Sequence, residues 1–310
     1  MKFNMSLLSP NTINRIRKFT LPGFEGVPLV KVLRFFYFEI KKEGVTARAS
    51  SITFFFMLSI FPGLIFLFTL IPYLPVKNIH TQLLLTIKDI INNKEAYQMI
   101  RTTINDIAEI QHQGLMSIGF IMAIYSAMSG VKALINAFDK AYEHTFKKRN
   151  IIQKNWVALK LTFLIAILLI VSLTLIVAEK SVFEWVFTAL HVHSGFSKWL
   201  IGFLRYVIII ALFFFAISFI YYYGPSYHKK FQFISAGSTL ATGLSILASV
   251  LFSAFVNNFG QYNKVYGSIG SIIVIMLWMY FNAMILLIGY ELNTSIALSK
   301  AQLKQDDTNA

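Results

Sequence analysis

Long stretches without a charged residue constrain this chain more than any other feature. The uncharged runs are 28 residues between Arg48 and Lys77, 22 between Glu109 and Lys132, 18 between Lys160 and Glu179, 23 between Arg205 and Lys229, 33 between Lys230 and Lys264, and 26 between Lys264 and Glu291. About 20 apolar residues, rising ~1.5 Å each, cross a ~30 Å hydrocarbon core, so each run is long enough or nearly so. The 18-residue run gains length from Trp156 to Lys160, because a lysine at a helix end can snorkel. The runs are continuously apolar, whereas barrel strands alternate over about ten residues, so only helices suit them. The fold class is therefore all-α: a polytopic membrane protein with six transmembrane helices.

Composition agrees. The chain is 56% hydrophobic and 14% charged, against about 25% charged in soluble domains, so it could not cover itself with polar surface. The absence of cysteine excludes disulfides, thiolate metal sites and a cysteine nucleophile. The formal charge of +14 invites a nucleic-acid reading, but its distribution argues for topology instead. Eighteen of the 28 basic residues fall in residues 1–48, 139–155, 224–232 and 292–310; seven fall in the alternate loops 77–114, 179–198 and 257–266. By the positive-inside rule both termini are cytoplasmic. Membrane lipids are the expected partners, with anionic headgroups meeting the basic cytoplasmic face, and nucleic acid is not. Lys132, Lys160 and Arg205 are the three basic residues left inside spans.

The organisation follows. Residues 1–48 form a cytoplasmic segment that has no cleavable signal pattern. Its residues 27–48 mix Val30, Leu33, Phe35, Phe36, Tyr37, Phe38 and Ile40 with Lys31, Arg34, Lys41 and Lys42, as in an amphipathic surface helix. Residues 49–298 form the six-helix domain, whose external loop 77–114 carries apolar residues at helical spacing, interrupted at Asn92–Asn93. Residues 299–310 form a short polar tail.

Candidate functional residues lie chiefly in the second span. Tyr125, Ser129, Lys132, Asn136, Asp139 and Glu143 follow at spacings of three and four, on one helical stripe. The stripe is expected to face other helices or a wet cavity, as a polar packing seam or as one wall of a substrate path. Lys132, Lys160 and Glu291 all come out near the inner leaflet, so a Glu291 ion pair with Lys132 or Lys160 is expected. Gly237, Ala241, Ser245, Ser249 and Ser253 recur at every fourth position of the fifth span, a groove for close helix packing. Pro62–Gly63 in the first span implies a kink or a broken helix, and Gly224–Pro225 ends the fourth. Arg205 can snorkel outward or hold an anion. His191 and His193 are the only histidines at ligand-like spacing, too few for a metal set. No nucleotide-binding loop, serine-hydrolase elbow or zinc-protease motif is present, so neither an enzyme nor a cofactor is expected.

Four segments resemble a known family. They are Ala49–Leu74 with its "LSIFP", Tyr125–Tyr142 (YSAMSGVKALINAFDKAY), Tyr221–Pro225, and Val265–Asn293 (VYGSIGSIIVIMLWMYFNAMILLIGYELN). They are similar to the YihY/BrkB family of bacterial inner-membrane proteins, once labelled ribonuclease BN. The resemblance spans about residues 30–298 and implies a six-span plasma-membrane protein without a settled activity. Its motif positions here are Gly130, Asn136, Tyr266, Gly267, Gly270, Gly289 and Glu291, with no assigned roles. The old label implies tRNA processing, for which the sequence holds no cluster of metal-binding carboxylates or histidines; it is read here as a misassignment. The expectation is transport or flipping of a lipid or amphiphile, with a structural or envelope-assembly protein as the rival class.

Overall fold

The computed structural model describes residues 20–42, 44–70, 98, 101–102, 113–139, 149–177, 195–226, 231–258 and 262–308. Seven helices occupy them: α1 (Leu29–Lys42), α2 (Val45–Leu70), α3 (Gln113–Asp139), α4 (Ile151–Val177), α5 (Gly195–Tyr223), α6 (Ala236–Asn258) and α7 (Tyr262–Thr308). No strand occurs among the described residues. Six of the helices are long and apolar enough to cross a membrane, with spans at Val45–Gly63, Ser117–Asp139, Ile151–Ser172, Tyr206–Tyr223, Ala236–Val256 and Ile272–Leu303. Each of the six uncharged runs contributes one span. Helices satisfy their own backbone groups in hydrocarbon, and the hydroxyls inside them do the same: Thr53, Thr162, Ser172, Thr242 and Thr294 each donate to the carbonyl four residues earlier.

The spanning helices pack in chain order, α2 on α3, α3 on α4, α4 on α5, α5 on α6 and α6 on α7, and α7 returns to α2. The result is a ring closed on itself. Helix α2 runs on through Pro62 and Gly63 to Leu70, so the chain keeps a continuous helix where a break was one of two expectations. Helix α5 ends at Tyr223, directly before Gly224–Pro225, as the sequence indicates.

The short helix α1 begins after a tight turn with left-handed Gly23, Glu25 and Gly26, and Pro28 accepts the first backbone bonds from Lys31 and Val32. Its Val32 packs with Phe24, Val27, Leu292 and Ile296 against the last part of α7, and Lys300 pairs with Glu25. Both described ends of the chain therefore lie on one face of the ring, called the terminal face below. An even number of spans requires this.

Burial is concentrated toward that face. One core joins Val45, Ala49 and Ile52 of α2, Leu134, Ala137 and Phe138 of α3, Ile217, Ile220 and Tyr221 of α5, and Ala283, Leu287 and Tyr290 of α7. Farther from the terminal face the described residues of α5, α6 and α7 are mostly exposed. In α5, Phe203, Leu204, Tyr206, Val207, Ile208 and Ile210 are all exposed. Consecutive helical residues point about 100° apart, so at Tyr206–Ile208 the exposed side extends around more than half of the helix. Helix α6 repeats this at Val250, Leu251, Phe255 and Val256, and α7 at Ile275–Trp278.

Candidate functional site: a polar hub that seals the terminal face

The polar residues of the hub come from the terminal-face ends of α2 to α6 and from Glu291 and Asn293 within α7. Arg48 sits in the second turn of α2, in helical phase with the buried Val45, Ala49 and Ile52. That phase carries it inward. It is 7% exposed, and its partner Glu291 of α7 is 0% exposed. Arg48 Nη2 donates to Glu291 Oε1 at 2.6 Å, and Nη1 donates to the Ala137 carbonyl at 2.9 Å. Ala137 lies two residues before Asp139 in α3. One guanidinium thus meets a backbone carbonyl and a buried carboxylate together, and ties α2, α3 and α7. The sequence placed Glu291 opposite Lys132 or Lys160; the structure pairs it with Arg48, a residue otherwise counted among the basic charges of the terminal segment.

Aromatic rings surround this pair. Tyr290 stacks on Phe138 with centroids 4.3 Å apart, and Tyr221 and Phe231 meet Tyr290 at 6.5 and 6.0 Å. The Tyr221 hydroxyl donates to the Leu286 carbonyl at 2.7 Å.

A second cluster closes the ends of α3 and α5. Asp139 accepts from the Ser226 backbone and hydroxyl at 3.1 and 2.8 Å, and Lys154 approaches it to 3.7 Å. Arg149 donates to the carbonyls of Tyr223, Gly224 and Pro225, capping the C-terminus of α5. Burial lowers the Arg149 guanidinium from its ordinary value, and nearby Asp139 opposes that.

The third cluster is the start of α6. Ser235 is its N-cap, its hydroxyl accepting from the Ser238 amide at 3.1 Å. The Gly237 amide, free in the first turn of any helix, donates across to Asn293 Oδ1 of α7 at 2.8 Å, and Asn293 Nδ2 donates to Ser235 Oγ at 2.9 Å. Helices α6 and α7 come very close here. A Cβ added at Gly237 would overlap the Gly289 carbonyl oxygen, and one added at Gly289 would lie 2.6 Å from the Gly237 carbonyl oxygen and 2.5 Å from the Tyr221 hydroxyl.

The other candidates sort as follows. Gly237 and Ala241 are buried in the α6–α7 contact; Ser245, also buried, and the exposed Ser249 and Ser253 line a groove against Ile209, Ile210 and Phe213 of α5. Gly130 lets the Phe56 ring of α2 lie against α3. The polar stripe of α3, expected to face other helices or a wet cavity, lies mostly on the outside of the ring, with Tyr125 in a groove beside Trp156 and Leu159 of α4. Tyr125 is 64% exposed, Asn136 is exposed, and Ser129 and Lys132 are half-exposed, with Asp139 alone of the described stripe engaged in the hub. The opposite face of α3 supplies Val131, Leu134, Ile135 and Phe138, larger apolar groups that win the interior. Lys160 is also exposed. Gly270 is buried; Tyr266 and Gly267 belong to α7, but their surroundings fall outside the described residues. So do Glu143, loop 77–114 apart from Gln98, Arg101, Thr102, Gln113 and Gly114, the Arg205 side chain and the His191–His193 pair. Among the described residues, no three His, Asp or Glu side chains are grouped to hold a metal ion.

Residues 36–310 match the family model described as Virulence factor BrkB. The chain belongs to that family. As a BrkB-family member it is 28% identical over 264 residues to a ribonuclease-like protein, YfkH, of Bacillus subtilis strain 168, covering 85% of this chain and 93% of that one. It is 23% identical over 284 residues to a UPF0761 membrane protein of Psychromonas ingrahamii, covering 89% and 90% of the two chains. A UPF0761 membrane protein of Tolumonas auensis is 25% identical over 183 residues, covering 58% and 57%. No solved structure matches. The BrkB-family chain is thus a membrane protein whose long family match includes every residue of the hub from Arg48 to Asn293.

Proposed function

We propose that this BrkB-family protein moves a lipid or other amphiphile across a bacterial plasma membrane and catalyses no covalent step. The observation that carries this reading is one-sided packing. The terminal face is shut by the Arg48–Glu291 pair and the Phe138, Tyr221 and Tyr290 rings, while apolar residues farther along α5, α6 and α7 are exposed on successive faces. A route for a hydrophilic solute needs polar lining; residues such as Ile208, Val250 and Ile275 suit acyl chains. With the terminal face cytoplasmic, the ring is shut inward and loose outward. The ribonuclease-like name belongs to the relative, and in this chain the buried Glu291 carboxylate is taken up by Arg48 rather than offered to a metal ion.

The test is reconstitution in liposomes carrying a phospholipid with a fluorescent headgroup, to which a membrane-impermeant quencher is added. Expected is loss of the protected inner-leaflet signal in protein-containing vesicles and its retention in empty ones. Unchanged protection with folded protein present would overturn the reading in favour of a structural or envelope-assembly role.

A further inference from the structure

The outward-facing part of α3 meets α4 along a groove of about 450 Å³, within the ~300–1,000 Å³ of ordinary ligand pockets. Tyr125 and Met128 of α3 and Asn155, Trp156 and Leu159 of α4 are among its walls. Ile121, Tyr125 and Met128 on α3, and Ile152, Trp156 and Leu159 on α4, follow at four- and three-residue spacing, so each helix offers an apolar face. Trp156 is 58% exposed. The helices touch beside the groove, where Val131 and Ile135 pack on Ala158 and Leu161.

Lys132 lies one turn beyond Met128 on the same face of α3, toward the terminal face. Its ammonium is 5.8 Å from the centre of the Tyr125 ring. Among the described residues no carboxylate pairs with it. A lysine inside a spanning helix, turned to the outside of the ring, is costly without an anionic or aqueous partner. A tyrosine face lessens that cost but does not neutralise the charge.

We propose that this groove binds an anionic phospholipid, with Lys132 holding the headgroup phosphate and the Tyr125–Met128–Trp156–Leu159 walls holding an acyl chain. The site does not depend on translocation: a bound lipid here would persist in a protein that moves nothing. A zwitterionic lipid gains the groove but keeps its own cation beside Lys132, so the site discriminates by charge.

Trp156 reports occupancy directly. The chain has 4 tryptophans, so a variant with Trp185, Trp199 and Trp278 replaced by Phe leaves Trp156 as sole emitter. This variant is placed in phosphatidylcholine discs with increasing brominated phosphatidylglycerol, or with brominated phosphatidylcholine as control, and quenching is followed. Expected is tighter apparent binding of the anionic lipid, by about fivefold for one lysine near a headgroup. Lys132→Gln removes that preference while leaving quenching by phosphatidylcholine, and Lys132→Arg keeps it. Inorganic phosphate added as competitor leaves the preference intact. Equal quenching by both lipids in the Lys132 protein, a preference that survives Lys132→Gln, or displacement by inorganic phosphate would each overturn the site. So would a Trp156 shielded from both lipids, the sign of a second copy seated in the groove.

Discussion

Arg48 and Glu291 stand 243 positions apart in the chain and 2.6 Å apart in the fold, both nearly devoid of solvent contact. The same guanidinium also reaches the Ala137 carbonyl, so one side chain binds the first, second and last spans at the terminal face. Such a pair is not in itself a large stabiliser, because taking two charges out of water offsets much of their attraction. Its force lies in what happens when one member is lost.

Removing either charge alone leaves the other buried. Arg48→Ala and Glu291→Gln should each destabilise the folded protein by about 3–5 kcal/mol. The double change Arg48→Met with Glu291→Leu should recover most of that loss. Unfolding midpoints of the purified variants in one detergent would show it; single variants as stable as the parent would show that the pair is not closed in solution.

The Gly237–Gly289 crossing predicts a contrast within a single helix. Gly237→Ala puts a methyl group into the Gly289 backbone, and overpacking of this kind costs about 1–3 kcal/mol or more. Gly243, two turns on, has nothing within 4 Å of an added Cβ, so Gly243→Ala should be neutral or gain the ~1 kcal/mol by which alanine exceeds glycine in helices. Equal effects of the two changes in the same unfolding assay would count against the close crossing.

These positions also show how far one sequence could be read. The spans were legible because hydrocarbon tolerates so few charges that gaps of 18 or more residues survive as a plain signal. The close approach at Gly237 and Ala241 was legible from its four-residue period, but the same period continues through Ser245, Ser249 and Ser253, which line a groove against α5 instead. Asp139 was found as a member of the α3 polar stripe and Glu291 as a charge inside a span. Arg48 was missed because it borders an uncharged run and counts as an interfacial cation. Its phase with Val45, Ala49 and Ile52 was the available sign that it points inward. Its partner was out of reach, since spacing reports neighbours on one helix and says nothing of contacts across 243 positions. The α3 stripe shows a related limit: periodicity finds a face without saying which of two faces the ring buries.

Asn293 gives a finer prediction. Its side chain accepts from the Gly237 amide and donates to Ser235, so Asn293→Leu leaves a buried amide unpaired at a cost of about 1–3 kcal/mol. Asn293→Asp keeps the acceptor and should retain part of the stability. Hydrogen exchange at the start of α6 separates this from a general loss: the Gly237 amide should lose protection in Asn293→Leu ahead of the amides in the core of α7. Uniform loss along both helices would mean that Asn293 acts through packing alone.

The outward stripe of α3 can be mapped because the chain contains no cysteine. A maleimide reacts with the thiolate, which needs water to form. Asn136 is exposed and lies three residues from the end of its span at Asp139, so Asn136→Cys should react readily with a water-soluble maleimide in proteoliposomes. Tyr125 is equally outward but 11 residues farther along the helix, about 16 Å deeper at ~1.5 Å per residue. Tyr125→Cys should be inert to that reagent yet remain open to a lipid-borne quencher or spin label. Ile135, fully buried against α4, should resist both as Ile135→Cys. If Tyr125→Cys instead reacts as fast as Asn136→Cys, the stripe borders water along its whole length. The outward face of α3 would then be the wall of a channel completed by another molecule, and the lipid-filled groove beside Lys132 would have to be abandoned with it.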